Sequence, residues 1–275
     1  MMSTTVEYNP TDLQYAEFHR LDAECFPEEP IDCDTFRTSA RGDFWAAWDS
    51  LSLVGYSYIV RKPDLAWLSR IGVANGYRRQ GIATRLMEEV LAHCSRIGLA
   101  DIMLYVKDDN APAIRLYSRF GFRRVESTFQ YILSIPKIAA TGTDISPESV
   151  KIVPITEIPT SEMPELPREW TNIRSMHRPP DQHVLVFLDK QDMNVGYCRL
   201  SPKFPGCFPF AVYQPSLHLS AVFNGLKRFL LPEKDILKLT FADGKLAEAC
   251  ASLGLELNYK LIKMMRHRDG NHLNR

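Results

Sequence analysis

The chain of 275 residues is 45% hydrophobic and 24% charged, enough to bury a sizeable core, and its length points to two domains. Lys+Arg and Asp+Glu both number 33, so no net field draws it to nucleic acid or an anionic membrane, and neither is expected as a partner. Met1-Met2-Ser3-Thr4-Thr5-Val6-Glu7 lacks a charged region followed by an apolar stretch, and nowhere do about 18 uncharged apolar residues run together, so a soluble, cytoplasmic protein is expected.

Thr5-Val6-Glu7-Tyr8 reads as a short strand, and Thr11 or Asp12 can cap a helix carrying Leu13, Ala16, Phe18, Leu21 and Cys25. A second short helix covers Cys33 to Ala40. Phe44 to Trp48 and Leu53 to Val60 form a hairpin around Asp49-Ser50, and a third strand runs from Ala66 to Val73. From Gln80 to Ile97 apolar residues recur every three or four positions (Ala83, Leu86, Met87, Val90, Leu91, Cys94, Ile97), the mark of a helix buried on one face, and Gly98 stops it. Asp101 to Val106 is a strand, Asn110 caps a helix that tolerates Pro112 in its first turn, and Gly121 ends it. Phe122 to Val125 and Phe129 to Ile135 read as two closing strands.

Pro136 to Pro147 has loop composition, which sets a first domain at 1–135, a linker at 136–148 and a second domain at 149–275. The second half opens on Val150 to Val153, passes through an unassigned Pro-rich stretch from Pro159 to Pro180, and repeats the earlier order. Strands fall at His183 to Leu188, Val195 to Leu200 and Cys207 to Tyr213; a helix follows around Ser216 to Leu230. A strand at Ile236 to Phe241, a helix around Lys245 to Leu253 and a strand at Leu255 to Met265 complete it. Val54-Gly55-Tyr56 recurs as Val195-Gly196-Tyr197, and Gly121-Phe122 as Gly254-Leu255, so the halves read as a duplication. Superposing Gly121 on Gly254 sets Asn110 on Asp243 and Tyr117 on Cys250. No Arg occurs between Tyr213 and Leu226, and the loop carrying Gly81 has no counterpart, so the second copy is expected to keep the core and lose the polar groups.

Two elements carry chemistry. Arg78-Arg79-Gln80-Gly81-Ile82-Ala83 joins a strand to a helix; a small residue there lets a ligand approach the backbone, and the free N–H groups of a helix start attract phosphate oxygens. Asn110-x-x-Ala113-Ile114-x-Leu116-Tyr117-x-x-x-Gly121-Phe122 follows the next strand, and both helices would begin at the same end of one sheet. The six cysteines (Cys25, Cys33, Cys94, Cys198, Cys207, Cys250) show no Cys-x-x-Cys pair and the histidines no ligand ladder, so reduced thiols and no metal are expected.

From Thr5 to Ile135 the sequence resembles the GNAT acetyltransferases: Arg78-x-x-Gly81-x-Ala83 is similar to their pyrophosphate loop, and Asn110 to Phe122 to their second signature. The resemblance implies an α/β fold of two tandem GNAT-like domains, each a mixed, largely antiparallel sheet flanked by helices. It implies acetyl-CoA as cosubstrate and direct transfer of acetyl to a primary amine, on a small molecule or a protein. Backbone N–H groups from Arg79 through Gln80, Gly81 and Ile82 to Ala83 would hold the pyrophosphate, with Arg78 beside them. Ile71 and Val73 on the fourth strand would orient the pantetheine, Asn110 and Ala113 would line it, and Tyr117 would protonate the departing thiolate. That strand carries no carboxylate to act as base, so Glu28 or Glu29 acting through water is the hypothesis, with Ser69 and Arg70 available to orient the acceptor. Trp45, Trp48, Tyr56, Tyr58 and Trp67 read as core before they read as pocket walls. A non-catalytic acyl-CoA-binding regulatory module is the alternative, a structural adaptor a third reading, and a homodimer is left open.

Overall fold

A computed structural model describes residues 4–40, 42–135, 150–163, 166, 170–203 and 206–267, and the expected linker 136–148 lies outside them. The chain forms two compact units, residues 1–125 with 263–275, and residues 126–262.

In the first unit β1 (Thr5–Tyr8), β2 (Asp43–Asp49), β3 (Ser52–Arg61) and β4 (Leu65–Val73) are antiparallel neighbours in that order, and β5 (Asp101–Lys107) joins β4 in parallel. The last residues of β12 (Glu256–His267) lie beside β5, where Arg266 Nε donates to the Phe120 carbonyl at 2.9 Å. A parallel pair needs a crossover, which α3 (Ile82–Arg96) supplies; it buries Ile82, Leu86, Met87, Val90 and Cys94, the face given by the apolar period. On the other side α1 (Tyr15–Cys25) and α2 (Cys33–Thr35), the latter continued by a π turn to Ala40, seat Phe18, Leu21 and Phe36 against Phe44 and Tyr56. Trp45, Tyr56 and Tyr58 are buried, as core residues should be, whereas Trp48 and Trp67 are partly exposed.

The second unit repeats the series. β7 (Lys151–Pro154), β8 (His183–Leu188), β9 (Asn194–Ser201) and β10 (Gly206–Val212) are antiparallel neighbours, and β11 (Ile236–Phe241) joins β10 in parallel. β6 (Arg123–Ser134) pairs with β11 from Phe129↔Phe241 to Ser134↔Ile236, and the first part of β12 lies next to β6. α5 (Pro215–Leu226) and α6 (Gly244–Ser252) pack on one apolar cluster with Leu185, Phe187, Leu200 and Phe210. Asp243 caps α6 as Asn110 caps α4 (Ala111–Arg119), and Cys250 is buried where the first half has Tyr117.

Several local expectations are corrected. α1 starts at Tyr15 behind Gln14, and neither Thr11 nor Asp12 caps it; Thr11 Oγ1 bonds Asp12 instead. The two strands expected from Phe122 to Ile135 are one, β6, because the polar residues between them, Glu126 to Thr128, continue the extended backbone. In the compact units, residues from Glu126 count with the second and those from Lys263 with the first. The described parts of the Pro-rich stretch form short 3-10 turns at Thr160–Glu162 and Ile173–Met176.

One buried carboxylate fastens the first unit. Asp43, at the start of β2, accepts from the Tyr8 hydroxyl (2.7 Å) and from Arg61 Nε (2.6 Å) and Nη2 (2.7 Å), and lies 3.0 Å from His93 Nε2 on α3. Burial alone would raise its pKa, but hydrogen bonds from Arg61 and Tyr8 and the charges of Arg61 and His93 outweigh it and hold the carboxyl below its ordinary value. A depressed carboxylate stabilises the fold above its unfolded pKa, and that contribution is lost as pH falls through the folded one. Asp43→Asn is expected to cost about 1–3 kcal/mol at neutral pH, with the gap to wild type narrowing as pH falls below the ordinary Asp value of about 3.9. Urea unfolding across that range checks it, and a gap that does not change with pH would contradict it.

Candidate acyl-donor and acceptor site

β4 and β5 pair only from Leu65↔Asp101 to Trp67↔Met103. Beyond that β4 stays with β3 as far as Val73↔Gly55, so the backbone from Leu68 to Val73 has β3 on one side and no registered β5 partner on the other. Both strands end on the same side because they run parallel, and α3 and α4 start just beyond them. Bare β4 backbone and two helix N-termini therefore share one end of the sheet.

The turn between β4 and α3 is built to leave amides unused. A 3-10 turn at Asn75–Tyr77 is held by Asn75 N–H to Glu24 Oε1 (2.6 Å) and by the Tyr77 hydroxyl to Asp49 Oδ2 (2.8 Å). Arg79 (φ +63°) and Gly81 (φ +81°) are both left-handed, and nothing lies within 4 Å of a Cβ added at Gly81. Dihedral demand therefore makes residue 81 a glycine, and space does not. Arg85 N–H donates to the Gly81 carbonyl at 3.0 Å, and the helical ladder begins there. Among the described residues, the six consecutive amides from Arg79 to Thr84 donate to nothing. Alternating left-handed residues turn successive N–H groups into one concavity, and the dipole of a 15-residue helix adds partial positive charge.

The two arginines behave differently. Arg79 is exposed on the turn, whereas Arg78 Nε folds back to the Val73 carbonyl at 3.1 Å, with its guanidinium beside the Cys25 thiol. Burial pushes that thiol up, and Arg78 partly offsets it. Gln80 Nε2 bonds the Gly76 carbonyl at 3.1 Å, Ile82 is buried under the helix start, and Ala83 is partly exposed in its first turn. Ile71 lies partly exposed on β4 opposite Ser57.

On α4, Asn110 Oδ1 accepts from Ala113 N–H at 3.2 Å, so this side chain is the helix cap. Tyr117 is 7% exposed, and its ring centroid lies 5.9 Å from that of Phe122. Burial raises its phenol far above the ordinary value, and no charge offsets the shift. Its hydroxyl has no hydrogen-bond partner among the described residues. Tyr117 thus keeps its proton at any physiological pH.

Opposite lies a cluster that sequence reasoning missed. Asp22 of α1 is 0% exposed and takes Arg70 Nη1 at 2.7 and 2.9 Å, the Ile31 N–H at 2.6 Å, and the Tyr56 hydroxyl. Arg70 Nη2 continues to the Glu29 carbonyl (2.5 Å), and its guanidinium sits 4.5 Å above the Phe26 ring. Arg70 therefore holds the loop from Phe26 to Ile31 against β4. From the β5 side Lys107 Nζ reaches Glu28 Oε2 on the same loop at 2.5 Å, both side chains being well exposed. The only prior signal for Asp22 was a carboxylate on the apolar side of α1, beside Leu21.

Among its described residues the second unit lacks this machinery. α5 starts with Pro215, which has no N–H, Tyr213 N–H goes to the Val195 carbonyl and Leu217 N–H to that of Gln214. Its glycine, Gly225, lies near the helix end against Ile152. No group of His, Cys, Asp and Glu among the described residues could hold a metal, and no described helix is long and apolar enough to cross a membrane.

Removing Arg70 leaves Asp22 charged and buried with Tyr56 and one amide. Arg70→Met is expected to destabilise the chain by about 3–5 kcal/mol, read by denaturant unfolding; a change near zero would show that the pair carries no such weight.

Residues 11–122 match the acetyltransferase (GNAT) family model. A mycothiol acetyltransferase of Corynebacterium glutamicum is 32% identical over 85 residues, 30% of this chain and 29% of that protein, so the chain spans less than a third of that relative's length. Two solved structures share the fold along almost the whole chain. A tandem GNAT protein from the clavulanic acid biosynthesis pathway has a TM-score of 0.68 at 16% identity, covering 98% of this chain and 100% of that one. A GCN5-related N-acetyltransferase from Sphaerobacter thermophilus has a TM-score of 0.65 at 14% identity, with 98% of each chain covered.

Proposed function

We propose that the first unit, whose residues 11–122 match the acetyltransferase (GNAT) family model, transfers acetyl from acetyl-CoA directly to a primary amine. The observation that carries this reading is the row of six undonated amides from Arg79 to Thr84 at the start of α3. Such a concavity fits a pyrophosphate, whose oxygens need several donors and little else. The bound thioester supplies an activated acetyl group. Ile71 and Val73 line its course along the open flank of β4; the Val73 carbonyl is already engaged by Arg78, which leaves neighbouring β4 backbone to orient it. Asn110 shapes the start of α4, with Ala113 in its first turn and Tyr117 below.

Tyr117 holds its proton on Oη and donates it toward the leaving sulfur. Its raised pKa keeps that proton on the phenol, which stabilises the developing thiolate by hydrogen bonding; as the C–S bond breaks, the thiolate takes up the proton released by the nitrogen that has attacked. A primary amine near pKa 10 must shed a proton to attack. Glu28 and Glu29 sit on the loop facing β4 and β5, and water between them and the acceptor would carry that proton. Arg70 acts by holding this loop, because its guanidinium is already engaged by Asp22 and the Glu29 carbonyl.

An acyl-CoA-binding regulator would have no use for a buried, protonated phenol at the sulfur. Tyr117→Phe is therefore expected to lower kcat by about 10²–10³-fold while acetyl-CoA affinity stays within about twofold. Thiol release in a panel of primary amines, with the affinity titrated separately, checks this; unchanged turnover would remove Tyr117 from the mechanism. The Glu28→Gln, Glu29→Gln double variant should lose the acidic limb of the pH–rate profile, and a wild-type profile would reject the water-relayed base.

A further inference from the structure

Among the described residues, no anion pairs with Arg199 of β9. Its Nε donates to the Phe208 carbonyl at 2.7 Å, and its guanidinium carbon lies 5.1 Å from the Trp170 ring centroid. Trp170 is buried and meets Phe208 edge-on at 5.1 Å, so two aromatic rings frame the group. Among the described residues no carboxylate pairs with it, and the polar neighbour that acts on its charge is the Cys207 thiol. Burial accordingly pulls its pKa down to about 10. A guanidinium withdrawn from water with one hydrogen bond for five N–H donors is costly to the fold that holds it.

The duplication makes the vacancy informative. The match of Val54-Gly55-Tyr56 with Val195-Gly196-Tyr197 puts Arg199 at the register of Tyr58, which lies opposite Arg70 on β4. In the first unit that cation is answered inside the protein, by Asp22. The second unit keeps a guanidinium in this part of the sheet, and among its described residues no carboxylate answers it. As a residue Arg199 is partly exposed.

We propose that the second unit contains a binding site for a small organic carboxylate, in which Nη1 and Nη2 of Arg199 take the two carboxylate oxygens while Trp170 and Phe208 flank the ligand's apolar body. One planar fork and one positive charge match a monoanionic carboxylate. A phosphate dianion would call for further cations, and the donor that would widen the fork, Nε, is committed to Phe208. The site is independent of acetyl transfer in the first unit.

The experiment is calorimetric titration of the full chain with sodium benzoate, against sodium chloride and sodium phosphate at equal ionic strength. One saturable benzoate site per chain is expected, weakened about tenfold or more by Arg199→Gln and less by Arg199→Lys, which keeps charge but loses the fork. Trp170→Leu, which leaves the guanidinium in place, should weaken it too, and serves where Arg199→Gln does not fold. Benzoate binding no better than chloride, binding that survives in Arg199→Gln or Trp170→Leu, or phosphate binding at least as tightly would each overturn the proposal.

Discussion

A parallel strand pair that stops after three residues governs the first unit. β4 and β5 must run the same way because α3 crosses between them, so both helix starts lie at one end of the sheet. When the pairing ends at Trp67↔Met103 while β4 stays with β3 to Val73, polar backbone is left without a strand to satisfy it. The structure spends other contacts to keep that opening: α1 packs close over β4, where a Cβ at Gly72 would come within 2.8 Å of Tyr56 and 3.0 Å of Cys25. Arg70 and Asp22 then lock the following loop in place, from beneath the sheet's open flank.

The two units show how little must change for such a site to disappear. Fold-level features survive in both: the strand order, the capped helix and its left-handed glycine, Gly121 (φ +84°) and Gly254 (φ +70°). Loss is concentrated in the turn before the crossover helix. Pro215 at the first helical position removes one donor, and the amides of Tyr213 and Leu217 find carbonyls, so the concavity present at Arg79 to Thr84 has no equivalent. Core packing tolerates this change because none of these groups lies in the apolar cluster of α5 and α6. What the second unit holds in its place is an uncompensated guanidinium on the other face of its sheet.

Much of this was legible in the sequence. Apolar periods gave α3, the caps and glycine stops gave α4 and α6, and the two motifs identified the turn and Tyr117, since local spacing alone defines such features. Residues whose partners are remote in sequence were not legible. Asp22 reads as an ordinary helical carboxylate until Arg70, 48 residues away, is brought to it. The bond from Arg78 Nε back to the Val73 carbonyl is likewise invisible in the motif. Glu126 to Thr128 fall between the two expected strands because polar residues interrupt the pattern, yet they continue one extended strand, β6.

The claim at the centre of this account is that the amides from Arg79 to Thr84 form the one acyl-CoA phosphate cradle of the chain. Calorimetric titration with acetyl-CoA, on wild type and on Gly81→Glu, tests it most directly. Gly81→Glu strains the left-handed turn and sets a negative charge where phosphate would lie. One site per chain that vanishes in the variant, with folding intact by circular dichroism, is the predicted result. Two sites per chain, or binding that Gly81→Glu leaves unchanged, would contradict it.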